Sequence, residues 1–321
     1  MMPPAQYPLV SIAMCTYNGE KFLEEQLNSL VNQSYPNLEI IAVDDCSTDH
    51  TLEILNLYAG QYSNFRVVRN ENNLGYVRNF EKAIKLCNGE YIALSDQDDI
   101  WDLNKIQLQV DAIDGHILTY HDSEFIAEDG SSYHKNMSDI INLYHGNSPE
   151  TFLLFNCISG HSCLLNKDLL KFIFPFKRGY HHDHWIAYVA ANHGSIGFID
   201  KSLVRYRQHL HTNTDILLKK NKKEKGYHEN RDVKKLTNEL VWLKHCAKYP
   251  HNKNPEFVNK FARLFEKRMR AFMSMDYALF LYKHRDKVLY IQKKSVASKN
   301  TFIYKQIWGL QAKLFWGRLF G

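Results

Sequence analysis

Residues 89–101, GEYIALSDQDDIW, join a short apolar run to a dense group of acidic and amide side chains. The run Tyr91–Leu94 is typical of a buried strand. The acids that follow it, Asp96, Asp98 and Asp99, repel one another, and removing them from water is costly unless a cation lies among them. A core strand that ends in such a group therefore points to a site that takes a cation.

Strands alternate with amphipathic helices through the first half of the chain. The predicted elements before Tyr91 are, in chain order, strand Leu9–Cys15, helix Gly19–Val31, strand Leu38–Val43, helix His50–Ala59, strand Phe65–Val68 and helix Gly75–Leu86. This alternation predicts parallel βαβ units in an open, doubly wound α/β sheet. Ligands bind such sheets beyond the carboxyl ends of the strands, which is where Asp44, Asp45 and the acids after Leu94 fall.

The 321 residues carry their charge unevenly. Residues 1–215 contain 15 Lys and Arg against 27 Asp and Glu, a net charge of −12, whereas residues 216–321 contain 25 against 8, a net charge of +17. We predict a first domain over residues 1–214 and a basic, mainly helical extension over residues 215–321. Helices are expected in that extension at Asp232–Lys248, Pro255–Lys283 and Ile303–Phe320.

Several classes of protein are not expected. Hydrophobic residues make up 45% of the chain, which is ample for a core and argues against general disorder. The six cysteines form no CxxC motif, which favours a reduced, cytosolic protein. The N-terminal segment MMPPAQYPLV lacks a basic region followed by an apolar one, and no run of about 18 apolar residues occurs, so we expect neither a signal peptide nor a membrane-spanning helix.

The two acidic clusters at adjacent strand ends predict a site for a hard cation. Mg²⁺ and Mn²⁺ prefer one or two carboxylates together with the oxygens of a substrate phosphate. On an extended segment Asp96 and Asp98 point to the same side and Gln97 points to the other. The alternative is a solvated acidic loop whose aspartates cap helices.

Three motifs follow one another as in a known family: VSIAMCTYNGEKFLEEQLNSLVNQSYPNLEIIAVDDCSTDHTLEIL, NLGYVRNFEKAI and GEYIALSDQDDIW. Over roughly residues 8–210 the chain resembles family 2 glycosyltransferases of the GT-A fold, and it looks closest to the bacterial O-antigen and capsule enzymes described as rhamnosyltransferase-like. The resemblance implies a Rossmann-like, mostly parallel central sheet flanked by helices. It also implies a nucleotide-binding half at about residues 8–115 and an acceptor half at about residues 116–214.

The resemblance implies that a nucleotide diphosphate sugar is bound at the strand ends. Asp45 would accept a hydrogen bond from the ring N–H of uracil or thymine, and Asp98 would be the direct ligand of Mn²⁺ or Mg²⁺. Asp99 is expected to cap a helix that starts near Trp101. The remaining residues on the donor side are Thr16, Tyr17, Asn18, Asp44, Arg78, Asp96 and Gln97, of which Asp96 would lie near the ribose and the metal.

The segment GYHHDHWIAYVA, residues 179–190, matches the acid-then-tryptophan motif on the acceptor side of this family. Asp183 would be the general base, with a pKa raised by shielding beside Trp185, and the alternative is a simple helix N-cap. His182 would also lie on the acceptor side, as would Gly160 and His161 in the segment SGHSCLLNKDLL. The pattern HHxH lacks an i, i+4 pair and a cysteine, so no zinc site is expected.

The segment LVRYRQHLHTNT, residues 203–214, resembles the one that closes the donor site in related enzymes. His209 would contact the metal or the diphosphate, and Arg205 or Arg207 would neutralise the leaving group. The continuation after His209 departs from the family's usual Gly-Asn-Asn. An edge strand with exposed cations is the alternative.

These expectations describe an inverting, metal-dependent glycosyltransferase that moves a sugar from a UDP- or dTDP-linked donor to a saccharide carried on a polyprenyl diphosphate, in O-antigen or capsule synthesis. Two other functions stay open: a catalytically silent GT-A module that binds a sugar or a partner protein, and a sugar nucleotidyltransferase. The latter would need a Gly-rich phosphate loop with Arg or Lys after its first strand, and CTYNGEKF contains one glycine and one lysine.

The C-terminal segment mixes aromatic side chains with cations. It predicts an interfacial helix on anionic lipid, which would hold a cytoplasmic enzyme at the inner face of the membrane. The alternatives are a helix packed on the body and a homodimer interface, and no nucleic-acid motif accompanies the charge. The predicted apolar face comprises Ile307, Trp308, Leu310, Leu314, Phe315, Leu319 and Phe320, with Lys305, Lys313 and Arg318 as its cations.

Overall fold

The computed structural model describes residues 7–177, 179–209 and 229–320. Within these, residues 7–147 and 157–209 form one compact unit, and residues 148–156 and 229–320 form a second. The predicted boundary near residue 214, and the departure from the family's pattern after His209, lie outside the described residues.

The first unit is an α/β sheet with flanking helices, as predicted. Its nine strands pair in the order β3-β2-β1-β4-β8-β6-β9-β5, with β7 beside β6. The strands are β1 Val10–Thr16, β2 Leu38–Asp44, β3 Phe65–Arg69, β4 Tyr91–Ser95, β5 Ile100–Trp101, β6 Leu118–Ile126, β7 Ser132–Asn136, β8 Cys163–Asn166 and β9 Ile196–Arg207. The helices are α1 Glu20–Val31, α2 Thr51–Gln61, α3 Tyr76–Lys85, α4 Lys105–Ala112, α5 Met137–Ile140, α6 Leu170–Ile173 and α7 His182–His193.

The first four strands are parallel, and the rest of the sheet is mixed. β8 runs antiparallel between β4 and β6, whereas β9 runs parallel to β6. The core beneath β1 follows the helical period, because Leu23, Leu27 and Leu30 of α1 are all fully buried there.

The strand register brings the acidic segments to one edge. Thr16 pairs with Asp44 across β1 and β2, and Met14 pairs with Ser95 across β1 and β4. The residues that follow Thr16, Asp44 and Ser95 therefore leave the sheet at the same side, which is the carboxyl edge of three parallel strands.

The predicted helix near Trp101 is wrong. Trp101 lies in β5, which pairs antiparallel with β9, and α4 begins only at Lys105 after Asn104. Asp99 is therefore not a helix cap. The backbone N–H of Trp101 donates to Ser29 Oγ at 3.1 Å, so tertiary pairing competes with helix formation at this point.

The second unit is helical, as predicted, but the predicted helices Pro255–Lys283 and Ile303–Phe320 are each interrupted. Its helices are α8 Glu229–Ala247, α9 Pro255–Arg270, α10 Met275–Lys283, α11 Arg285–Val288, α12 Val296–Lys305 and α13 Leu310–Phe320. Among the described residues no helix has both the length and the apolar character needed to cross a membrane.

A backbone contact between residues 272–273 and residues 308–309, here called the crossing, interrupts the predicted helices Pro255–Lys283 and Ile303–Phe320. Met273 forms an antiparallel bridge with Trp308, and the N–H of Gly309 donates to the carbonyl of Phe272 at 2.9 Å. A Cβ atom at Gly309 would lie only 2.0 Å from the carbonyl oxygen of Ala271, so this close approach requires glycine. The backbone groups that the crossing uses are unavailable for helical hydrogen bonds.

Candidate active site

We call residues 96–99, between β4 and β5, the acidic loop. One amide side chain connects this loop to the segment that follows β1. Gln97 Oε1 accepts from the N–H of Tyr17 at 2.7 Å, and Gln97 Nε2 donates to the carbonyl of Tyr17 at 3.0 Å. Asn18 has a left-handed φ of 48°, and its Oδ1 accepts from the N–H of Thr48 at 2.9 Å. These bonds connect the segments that follow β1, β2 and β4.

Asp44 and Asp45 are both buried at the end of β2. Asp44 accepts from the Oγ1 of Thr16 at 3.2 Å and from the N–H of Ser47 at 3.0 Å. Asp45 is bound to the loop before α3, because it accepts from the side chain of Asn70 at 2.7 Å and from the backbone of Leu74 and Gly75 at 2.8 Å each. The structure thus makes Asp45 an organiser of this wall, and its bond to a base stays a prediction.

Two carboxyl groups of the acidic loop, Asp96 and Asp99, have raised pKa values. Burial raises the pKa of Asp96 to about 7, with Asp98 and then Asp183 adding to the shift. Asp99 is fully buried and its pKa is raised well above the usual range, mainly by burial. Its Oδ2 accepts no hydrogen bond from any described residue. Among the described residues, the positive charge near Asp96 and Asp99 is therefore too small to offset the cost of ionising both groups.

Arg207, at the end of β9, supports this loop from within the protein. Its side chain is 1% exposed, its Nε donates to the carbonyl of Asp98 at 2.9 Å, and its backbone N–H donates to Asp99 Oδ1 at 3.2 Å. Its terminal nitrogens donate to the carbonyl of Glu128 at 2.8 Å and to the carboxylate of Glu25. A guanidinium buried in this way cannot reach a leaving group, so the structure argues against that predicted role.

The other predicted cations are on the surface of the first unit. Arg205 is exposed and donates to the carbonyl of Gly130 at 2.5 Å. Arg78 pairs with Glu81 at 2.6 Å, one turn further along α3, and Glu81 also pairs with Lys85 at 2.5 Å. The contact of Arg78 with a base or diphosphate stays a prediction.

Two groups of side chains at the acidic loop have the chemistry of a divalent cation site. His209 Nε2 lies 2.9 Å from Asp98 Oδ2, which brings two of the predicted ligands together. The third, Asp96, forms a second group with Asp99 and His161, whose ligand atoms all lie within 4.8 Å of one another. Carboxylate oxygens with an imidazole suit Mn²⁺, and a bound cation would lower the raised carboxyl pKa values. The residues present therefore fit such an ion.

His161 was expected on the acceptor side, but the structure buries its ring beneath the acidic loop. It is 2% exposed, its Nε2 lies 2.9 Å from Ser123 Oγ, and its Nδ1 lies 3.5 Å from Asp99 Oδ2. Burial, with Lys105 as the next contribution, lowers the pKa of His161 to about 3. This position argues against direct contact with an acceptor. The neighbourhood of Asp99 and His161 was missed, because no local pattern joins residues so far apart in the chain.

Asp183 lies in the first turn of α7, one residue inside the helix, and His181 is the N-cap. The simple N-cap alternative is therefore not what the structure shows. Its Oδ1 accepts from the N–H of His184 at 2.6 Å, and burial raises its pKa to about 6. Its charge contributes to the raised pKa of Asp96, so Asp183 faces the acidic loop electrostatically.

Two other residues of α7, Trp185 and His182, were also predicted on the acceptor side, and they differ in their hydrogen bonding. Trp185 is 7% exposed and its Nε1 donates to the carbonyl of Ile173 at 2.9 Å, so it anchors α7 in the core. His182 is 8% exposed and stacks on Phe80 with ring centroids 4.3 Å apart. Neither ring nitrogen of His182 has a hydrogen-bond partner among the described residues. A Cβ atom at Gly160 would lie 3.2 Å from His182 Nε2, so a larger residue there would press on the imidazole ring.

Comparison with known proteins agrees with this geometry. The sequence profile described as Glycosyl transferase family 2 matches residues 11–174. The chain is also 32% identical over 250 residues to the dTDP-rhamnosyl transferase RfbG of Shigella flexneri, covering 71% of this chain and 84% of RfbG. The chain belongs to glycosyltransferase family 2. The predicted family and the predicted class of enzyme are confirmed.

Two solved structures share the fold of this family 2 glycosyltransferase. S. aureus TarS in complex with UDP-GlcNAc superposes with a TM-score of 0.54 at 20% identity, covering 87% of this chain and 81% of TarS. The mannosyltransferase PcManGT from Pyrobaculum calidifontis, in complex with GDP-Man and Mn²⁺, gives a TM-score of 0.50 at 15% identity, covering 98% of this chain and 88% of PcManGT. The GT-A fold prediction is confirmed.

Replacing the buried guanidinium of Arg207 should lower the stability of the folded protein. We expect Arg207→Met to destabilise the transferase by roughly 3–5 kcal/mol, because it removes the positive charge near the buried Asp99 and the side-chain donors to the carbonyls of Asp98 and Glu128. The matched control is Arg205→Met, two residues away on the surface, which should change stability by less than about 0.5 kcal/mol. Urea unfolding followed by circular dichroism measures both, and equal stability of the two variants would contradict the role assigned to Arg207.

Proposed function

We propose that the enzyme transfers a sugar from a UDP- or dTDP-linked donor to a saccharide acceptor, with inversion and with dependence on Mn²⁺ or Mg²⁺. The acceptor is proposed to be a lipid-linked saccharide of O-antigen or capsule synthesis. The observation that carries the proposal is a carboxyl group with a raised pKa, Asp183, near enough to the acidic loop for its charge to raise the pKa of Asp96. The name of RfbG supports a dTDP-linked donor, and the complex of TarS supports a UDP-linked one.

The donor is assigned to the carboxyl edge of β1, β2 and β4, within residues 8–115. Tyr17 is 48% exposed at this edge and offers a ring for stacking against a base. Thr16 and Asn18 shape the segment through their bonds to the β2 loop. Asp44 and Asp45 would form the pocket wall, and Gln97 would hold it against the acidic loop.

Asp98 and His209 are the residues proposed to hold the divalent cation, with Asp96 beside the ribose and the cation. The cation supplies positive charge that stabilises the departing nucleoside diphosphate. Asp99 and His161 are proposed to position the loop from below, since neither is exposed. The Mn²⁺ in the complex of PcManGT supports the choice of metal.

Asp183 is proposed to be the general base. Its carboxylate oxygen takes the proton of an acceptor hydroxyl, and the hydroxyl oxygen forms a bond to the anomeric carbon. The bond from that carbon to the diphosphate oxygen breaks, and its electron pair leaves with the nucleoside diphosphate. One displacement inverts the anomeric centre, and holding both substrates in line supplies much of the rate.

His182 is proposed to contact the acceptor sugar within residues 116–214. Its two ring nitrogens have unused hydrogen-bonding capacity beside Asp183, and sugar hydroxyls both donate and accept. Trp185 is instead assigned to the packing of α7. A catalytically silent module is disfavoured, because buried carboxyl groups at this cost would serve no purpose in it.

The metal assignment predicts a loss of donor binding. Asp98→Ala should remove Mn²⁺-dependent binding of UDP or dTDP and abolish transfer, while the fold persists because the residue lies beyond the strand end. The control is Asp111→Ala, an exposed aspartate on α4 that should behave as wild type. Calorimetric titration with and without Mn²⁺ decides it. Near-normal turnover of Asp98→Ala would exclude Asp98 as a ligand.

The base assignment predicts a loss of rate without a loss of donor affinity. Asp183→Asn should lower kcat by roughly 10²–10⁴-fold and leave Mn²⁺-dependent nucleotide binding unchanged. In the wild type the base must be ionised, so the rate should fall as pH drops below about 6, the raised pKa of Asp183. Initial rates across pH test this. If Asp183→Asn lowers the affinity for the donor by as large a factor as it lowers kcat, Asp183 is a structural residue.

The role of His182 can be separated from its packing by His182→Phe. Phenylalanine keeps the stack on Phe80 but has no ring nitrogens, so the folded protein should be as stable as wild type or slightly more stable. The KM for the acceptor should rise while the KM for the donor stays constant. A stability loss with both KM values unchanged would show that His182 only packs.

A further inference from the structure

Exposed apolar side chains concentrate in the second unit of the described chain. The crossing that interrupts the helices presents four of them together, namely Phe272, Met273, Phe315 and Trp316, which are 44%, 52%, 48% and 47% exposed. We call these four residues with Trp308 the aromatic patch. An exposed hydrophobic surface of this kind marks an interaction site.

The patch is built by tertiary contacts rather than by one helix. The bridge between Met273 and Trp308 brings two segments together, and the rings of Phe272 and Trp308 lie 6.4 Å apart. Phe272 also lies 6.0 Å from Phe315, which lies 5.3 Å from Trp316. The face predicted from sequence is partly wrong, because Leu310 is 6% exposed and packs inward. The side chains of Arg318 and Phe320 lie outside the described residues.

The charge around the patch is positive. Residues 287–321 contain seven Lys and Arg and no Asp or Glu. Lys305 is exposed at the end of α12, three residues before Trp308, and Lys313 is half-buried on α13. Two of the three acids of α9 and α10 are already paired, since Asp276 lies 2.7 Å from Lys267 and Glu266 lies 2.7 Å from Lys244.

We propose that the aromatic patch docks the enzyme on an anionic lipid bilayer. Tryptophan and phenylalanine side chains next to lysines favour the interface between water and lipid, and cations nearby are attracted to anionic headgroups. A self-complementary dimer contact would instead bring a surface with a large excess of positive charge against its own copy. The inference rests on the proposed function, because a lipid-linked acceptor is found at such a surface.

Co-sedimentation with vesicles tests the proposal directly. The full-length chain is mixed with vesicles of phosphatidylcholine alone, or of phosphatidylcholine with phosphatidylglycerol, at two salt concentrations. We expect binding to the anionic vesicles only, weakened at the higher salt. The double variant Phe272→Ser with Trp316→Ser should lose at least about ten-fold in partitioning.

The control is Leu57→Ser, which removes an apolar side chain that is 63% exposed on α2 in the first unit. It should bind vesicles as wild type does. Both variants alter exposed residues, so unchanged thermal unfolding is expected and is measured alongside. Tryptophan quenching by lipids brominated in the acyl chain gives a second readout on the wild type alone. Quenching only with anionic vesicles supports docking, and none with either vesicle overturns it.

The remaining outcomes separate docking from catalysis. If the double variant sediments like the wild type, the patch does not bind lipid. If the wild type is a dimer without vesicles and the double variant is a monomer, the patch joins two copies and the proposal is overturned. Transfer to a soluble acceptor should be the same in all variants. Its absence in a wild type that still binds vesicles would refute the proposed function and leave the docking proposal standing.

Discussion

The buried guanidinium of Arg207 is the constraint on which the active-site region depends. Three segments meet at it, because it donates to the backbone carbonyls of Asp98 and Glu128 and to the carboxylate of Glu25. The backbone N–H of the same residue donates to the carboxylate of Asp99. Its position requires β9 to end beside β5 at the carboxyl edge of the sheet. β5 pairs with β9 where the sequence pattern predicts a helix, and this pairing ends two residues before Arg207.

One fixed cation does not balance this many acids. Asp96 and Asp99 both have raised pKa values even with Arg207 in place. The carboxylate of Asp98 lies 2.9 Å from the imidazole of His209. A protein designed only for stability would replace such a cluster with apolar residues. The unbalanced charge is therefore a property of function, and on the proposed function it is what makes a divalent cation bind where a diphosphate must also be held.

Local pattern and general rules predicted the first four strands, their helices and the edge at which Asp44, Asp45 and Asp98 lie. They succeeded because, in parallel βαβ units, the spacing of apolar residues along the chain indicates which segments are strands and which are helices. They failed where distant segments decide the outcome. The burial of His161 depends on β8 running antiparallel into the sheet, and the break before Met275 depends on a bridge to Trp308. Gly309, a poor helix former inside the predicted helix Ile303–Phe320, was the local signal for that contact.

The two units use opposite charge toward ligands that are both anionic. On the docking proposal, the second unit would attract an anionic surface directly, and that attraction would weaken once the screening length falls to about 8 Å or less. On the proposed function, the acidic loop would repel a nucleoside diphosphate unless a cation intervened, so donor binding would be conditional on the metal. Buried interactions are screened far less than exposed ones. Ionic strength should therefore release the chain from a bilayer before it disturbs the donor site, which makes the two events separable in one titration.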